Sequence, residues 1–186
     1  KGITNYYPED VIPSYSDKPV RMLILTDTIF RDKLAPLIKW KSQKGFKTEV
    51  LYKGKNYAGT DYAAIKNTLT NIYNNSSEEN PAPEYLLIIG DVTKIPRYGT
   101  TQVTDMYYGE FDGNGDYMPE MFIGRLPVKD TTELRSVINK IIAYERFEFA
   151  DTNRFYENSL ATTGYDDNYY KYMNNQVGYA VSNYLN

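Results

Sequence analysis

The 186-residue chain contains no cysteine and no histidine. The first absence excludes a disulfide framework, a thiolate metal site and a thiol nucleophile. The second removes the imidazole base, so neither a Ser/His/Asp nor a Cys/His assembly can be completed within these residues. A strong charge of one sign is also missing. With 21 Lys and Arg against 24 Asp and Glu, the formal net charge is 21 − 24 = −3, which is no footprint for nucleic acid. No apolar run approaches the ~20 residues of a membrane-spanning helix, and no signal-peptide pattern opens the chain. The absence of cysteine fits a secreted bacterial protein and a small cytosolic one equally, so it leaves the redox compartment open. This length buries a sizeable core and suits one domain with part of another.

What is abundant is tyrosine. There are 20 Tyr against seven Phe and one Trp. Tyr supplies apolar area while keeping a polar tip in water, and it also suits a surface that contacts carbohydrate or peptide.

The first 19 residues hold Pro8, Pro13 and Pro19 without a sustained period, and read as an extended arm. Arg21 to Thr26 is a short apolar run that suits a strand buried on both faces. From Ile29 to Lys44 the period turns helical, with a defect at Pro36 and a stop at Gly45. Phe46 to Tyr52 alternates as a second strand, and Asp61 to Asn74 reads as a second helix through Ile65, Leu69 and Ile72. After the polar loop Ser76 to Pro83, Tyr85 to Ile89 is the strongest strand, closed by Gly90 and Asp91. This order predicts a parallel sheet with right-handed crossovers, with function collected beyond its carboxyl ends.

Next, Val103 to Tyr108 and Met121 to Arg125 flank a Gly/Asp/Asn loop and predict a β-hairpin excursion. Asp130 with Glu133 forms a capping box for a helix reaching about Phe149. Ser159 to Thr163 predicts a further strand. A helix follows from Asn168 whose buried side is marked by Val177, Ala180, Val181, Tyr184 and Leu185. No stop signal closes that helix at Asn186, so the chain is expected to continue.

The most chemically loaded stretch is Asp112 to Glu120. Oxygen-bearing side chains recur at alternate positions among glycines, as a flexible calcium loop requires. It is not an EF-hand, since Tyr117 stands where Gly is needed and the Glu comes too early. A solvated turn uses the same residues. Asp91 also fits, loosely, a phospho-accepting carboxylate in a receiver-like pocket with Asp27, although no acidic pair follows the first strand. The pair Asp166 and Asp167 reads, by itself, as helix N-capping.

Several segments in order then resemble one family, the gingipain-type cysteine peptidases (peptidase family C25). They are Trp40 to Phe46, Leu87 to Asp91, Thr104 to Tyr108, Asp116 to Met121, Ile123 to Arg125 and the helix ending Tyr144 to Arg146. The Asp116 to Met121 stretch is closer to the lysine-specific branch. The resemblance implies a three-layer α/β/α fold with a mostly parallel sheet, similar to caspases and built as two subdomains. Residues 1–19 would be an extended arm, 20–150 the first α/β subdomain, and 151–186 the first strand and helix of the second, catalytic subdomain. The family's His and Cys would lie beyond Asn186.

Two sites follow from the resemblance. A structural Ca2+ would be held by Asp91, Asp116, the carbonyl of Met118, and Glu120, with Asn114 at the first loop position. The loop is two residues longer here, so Asp112 replaces or joins Asn114. Asp166 would orient the catalytic His, fixing its tautomer and stabilising the imidazolium. The acidic residue that arginine-specific members carry about eleven positions further on has no counterpart around Gln176 to Gly178. The expected protein is a secreted or cell-surface bacterial endopeptidase acting on protein and peptide substrates, of which this chain alone is inactive. Its expected partners are those substrates and the rest of its own catalytic domain, with no nucleic acid and no membrane span. The rival reading is a peptidase-like module without catalysis that serves secretion or surface binding.

Overall fold

The computed structural model describes residues 19–100, 104–113, 118–148, 160–164 and 167–185. They fall in two compact units, Lys1–Lys140 and Ile141–Asn186. The first is built on a four-stranded sheet of order β2-β1-β3-β4. Its strands are β1 (Val20–Thr26), β2 (Phe46–Tyr52), β3 (Tyr85–Ile89) and β4 (Phe122–Leu126), all parallel.

β1 lies between two neighbours, which is why its sequence is a continuous apolar run and not an alternation. Residues 21–26 are all buried. Leu23 and Leu25 of β1 join Leu86 and Ile88 of β3 on one face. The helix α2 (Tyr62–Asn74) covers that face with Ile65 and Leu69. Met22, Ile24 and Ile89 point to the opposite face, and Phe30, Leu34 and Leu37 are buried beside the crossover from β1 to β2. The order reverses after β2, so right-handed crossovers put successive helices on opposite faces. The result is a three-layer α/β/α arrangement.

The expected helix from Ile29 to Lys44 divides in two. Thr28–Lys33 is a 3-10 turn capped by Asp27, whose Oδ1 accepts the Ile29 N–H at 3.1 Å. The helix α1 (Ala35–Gln43) begins afterwards, with Pro36 in its first turn. There the missing N–H costs nothing, so Pro36 starts a helix where an interior kink was expected. Gly45, at φ +92°, reverses the chain into β2. Asp61 caps α2 through Ala63 N–H (3.0 Å) and Ala64 N–H (2.9 Å). Asp130 does the same for α3 (Thr131–Glu145), and Glu133 reaches back to the Lys129 N–H at 2.8 Å. The helix stops at Glu145, short of the expected Phe149.

Two expectations fail. The β-hairpin excursion is not formed among the described residues. Met106–Tyr108 is a 3-10 turn, Thr104 makes only an isolated bridge to Tyr98, and the second run becomes β4, parallel to β3. The cause is long-range. Arg125 of β4 grips the descending loop through Asp105 with Nε–Oδ2 and Nη2–Oδ1 distances of 2.7 Å each. Its Nη1 donates to the Gly90 carbonyl (2.8 Å) and the Ile95 carbonyl (3.1 Å). The strand expected at Ser159 to Thr163 is also absent over residues 160–164. A strand needs a ladder, and no described segment pairs with it; Leu160 is 91% exposed.

The second unit contains the helix α4 (Tyr170–Ala180), continued by a π turn over Val181–Leu185. The Thr163 hydroxyl donates to the Asn174 side chain at 2.5 Å and ties the preceding segment to it. The expected buried side is only half-buried at Val177, Ala180 and Val181, and Tyr184 is exposed.

Arg125→Lys keeps the charge but loses the planar fork. It should destabilise the fold by about 3 kcal/mol, because Asp105 and two carbonyls lose donors together. Urea unfolding measures this, and a loss no larger than that of an exposed Lys129→Ala would refute the role given to Arg125.

Candidate functional site

The sheet offers two chemically distinct ends. At its carboxyl end, the order reverses between β1 and β3, the usual place for a ligand crevice in an open α/β sheet. The Thr26 hydroxyl donates to the Ile89 carbonyl at 3.0 Å and closes the bottom of that crevice. Asp27 lies 3.6 Å from the Lys53 ammonium. Nearby, the Arg31 guanidinium sits 4.6 Å above the Tyr52 ring, and donating to the Tyr57 and Tyr52 side chains raises its pKa.

Asp91 stands on the same edge. Gly90, at φ +133°, turns the chain there, and a Cβ on it would meet the Lys94 side chain at 2.8 Å. The Asp91 Oδ1 accepts from the Thr93 hydroxyl (2.6 Å), the Thr93 N–H (2.9 Å) and the Lys94 N–H (3.3 Å). The Thr93 hydroxyl bond is the main cause of its lowered pKa, with the two N–H bonds and Lys129 adding to it. One carboxylate oxygen is therefore committed to holding the turn after β3.

The acidic loop sits at the other end. Glu120 precedes β4, whose first residue Phe122 pairs with Tyr85 at the start of β3. β3 from Tyr85 to Ile89 is four residue steps, about 13 Å, and Asp91 lies beyond its far end. The structure therefore does not bring Asp91 to Glu120. It does bring the ends of the loop together: the Glu120 N–H donates to the Gly109 carbonyl and the Phe111 N–H to Glu120 Oε2, both at 2.8 Å. Asp112 and Met118 are exposed on either side. Asn114 and Asp116 lie outside the described residues, as does Asp166. Among the described residues no three carboxylates form a cluster that could hold a metal. The donor set the loop presents is nonetheless oxygen alone, with the Glu120 carboxylate fixed at its base, and that suits a hard cation.

Sequence reasoning missed the Arg125 clamp and the aromatic stack beside it. Tyr98 and Tyr107 stack at 4.0 Å and 8°, Tyr62 meets both edge-on, and the Lys66 ammonium lies 3.9 Å from the Tyr107 ring centre. The signal was the tyrosine count, which gives no pairing. Tyr108 is wholly buried, donates to the Pro96 carbonyl and has its pKa pushed up by desolvation, so it remains a donor.

The model of Peptidase family C25 matches residues 15–185. Lys-gingipain of Porphyromonas gingivalis is 34% identical over 191 aligned residues, 97% of this chain and 11% of that protein. Gingipain R1 of the same species is 29% identical over 143 residues, 76% of this chain and 14% of that one. Among solved structures, one described as a protease shares 34% identity at a TM-score of 0.72, over 83% of this chain and 34% of that one. The chain thus spans only 8% to 19% of the length of the curated relatives it matches.

Because the folded-state pKa of Asp91 lies below the unfolded value of about 3.9, its ionised contribution is complete above that value. It is lost as pH falls through the lower folded value. Asp91→Asn should lower the thermal midpoint at pH 7, and the gap from the parent sequence should close on acidification below about pH 4. A gap independent of pH would show that its charge plays no part in the turn.

Proposed function

The chain belongs to peptidase family C25, and on that footing we propose that it forms the first α/β unit of the catalytic domain of a secreted bacterial cysteine endopeptidase. One coincidence carries this reading: a family match over residues 15–185 in a chain with neither cysteine nor histidine. The nucleophile and base then belong to parts of the parent protein outside these residues, and this chain alone hydrolyses nothing.

In the parent enzyme a thiolate attacks the scissile carbonyl and an imidazolium protonates the leaving amine. Asp166 is the contribution of this chain. Its carboxylate accepts from the imidazole nitrogen remote from the thiolate, which fixes the tautomer and favours the charged ring. In the parent, Asp166→Asn should lower kcat by about 100-fold or more with KM little changed. Steady-state kinetics on a fluorogenic peptide tests this; an unaltered kcat removes the assignment, and turnover by the 186-residue chain alone overturns the wider reading.

The same proposal gives the loop a structural Ca2+. Asp112, Asn114, Asp116, the Met118 carbonyl and Glu120 would hold it, and Asp91, at the far end of the sheet, would not. Bound there, the ion would cross-link the loop above the bonds at its base. Calorimetric titration should show binding that Glu120→Gln weakens at least about tenfold, since the variant keeps an acceptor for the Phe111 N–H but loses the charge. Asp91→Asn should leave the affinity unchanged. Binding indifferent to Glu120, or lost with Asp91, contradicts this ligand set.

A further inference from the structure

The two edges of the sheet are defended differently. β2, at one edge, carries the exposed Lys47 and the ion-paired Glu49, and charges of this kind discourage strand addition. β4, at the other, reads Phe122-Ile123-Gly124-Arg125-Leu126. Its single charge is turned inward to Asp105. In its parallel ladder Phe122 donates to the Glu84 carbonyl, and the Leu126 carbonyl accepts from Gly90. Alternate residues bond to opposite sides, so the main-chain groups of Ile123 and Arg125 face outward. Among the described residues no strand pairs with that side. Gly124 is exposed, and a Cβ placed on it would meet nothing within 4 Å.

A groove of about 450 Å³ opens at the start of the same strand. Met106, Met118, Pro119, Met121 and Phe122 line it, together with Glu84 and Glu120. Phe122 is 70% exposed and rests on Tyr85 at 5.3 Å. Methionines adapt to varied apolar side chains. A free strand edge supplies sequence-independent main-chain bonds, and an adjoining pocket supplies selection.

We propose that β4 and the methionine groove form a docking site for an extended peptide segment of the substrate, one with a large apolar side chain flanked by lysine or arginine. The apolar side chain enters the groove, the main chain pairs with Ile123 and Arg125, and the basic residue meets Glu84. Charge selects this occupant: the exposed Glu84, outside the proposed calcium loop, lines the groove, and no basic residue does. The site lies at the amino end of the sheet, away from the crevice between β1 and β3, so it holds substrate without acting on it. The proposal rests on the endopeptidase reading for the identity of its ligand.

The test titrates the chain with end-blocked, fluorescein-labelled Lys-Val-Leu-Val-Lys and reads anisotropy at fixed calcium concentration. This peptide should bind about tenfold more tightly than its Glu-flanked counterpart, and Glu84→Lys, at an exposed position, should reverse the preference. A version N-methylated on the strand-pairing amides should lose binding. Equal binding of both peptides, no effect of Glu84→Lys, or retention by the N-methylated peptide would overturn the proposal. So would self-association that protects the Ile123 and Arg125 amides, which would give the edge to a second copy, or failure of the longer parent protein to bind, which would give it to the parent's own chain. Binding is read without turnover. A failed groove therefore leaves the peptidase reading standing, and an inactive parent leaves the groove standing.

Discussion

Arg125 is a guanidinium set in an outer strand with 12% of its side chain exposed, making four hydrogen bonds to three separate segments. A single group thereby fixes the end of β3 at Gly90, the turn at Ile95 and the descending chain at Asp105. Without it, the long connection from β3 to β4 would have to find its path by apolar contact alone. With it, the connection is held against the sheet, Tyr108 enters the core beside Leu86 and Ile88, and the chain arrives at the amino end in position to start a fourth parallel strand. A charged pair at this burial is weak as a source of net stability but strong as a specifier of path, since every alternative leaves a guanidinium without acceptors.

The carboxylates of the first unit divide by function along the sheet. Those at the carboxyl end hold backbone: Asp27 caps the turn after β1, and Asp91 the turn after β3. Asp61 and Asp130 cap helices. At the amino end, Glu120 accepts the Phe111 N–H, and Asp112 and Glu84 are exposed. Each of the first group accepts backbone N–H through Oδ1, so its place is set by a turn or a helix start. Glu84 and Glu120 stand at the groove by the amino end, where the cation and the peptide edge are both proposed.

Much of this was legible in the chain because local pattern and tertiary burial agree. The runs Arg21 to Thr26 and Tyr85 to Ile89 are buried on both faces and could hardly be read otherwise. The capping box of Asp130 and Glu133 announced its helix. What failed was whatever depends on distant partners. Pro36 looked like a defect because the 3-10 turn before it has the same apolar spacing as the helix. The hairpin looked sound because two short apolar runs around a Gly/Asp/Asn loop normally pair, and nothing local reveals that Arg125 will bind Asp105. Asp91 is the instructive case. Its place after a strand-ending glycine is shared by ligands and by turn caps, and only the strand register separates it from the loop it was grouped with.

That separation bears on how a chain without cysteine or histidine would take part in the proteolysis proposed for its parent. A dyad needs a nucleophile, a base and a group that holds the base in one tautomer, and the first two cannot come from these residues. The third needs only a carboxylate with an oxygen to spare. Asp27 and Asp91 sit at the favoured carboxyl edge, yet each already accepts backbone hydrogen bonds. Drawing either carboxylate toward a second partner would compete with the turn that its Oδ1 holds. The orienting carboxylate is instead proposed at Asp166, in the stretch of chain that follows α3. The missing residues therefore mark a division of labour: the first sheet is a scaffold whose acids serve its own turns, and the chemistry is proposed where the chain leaves that sheet.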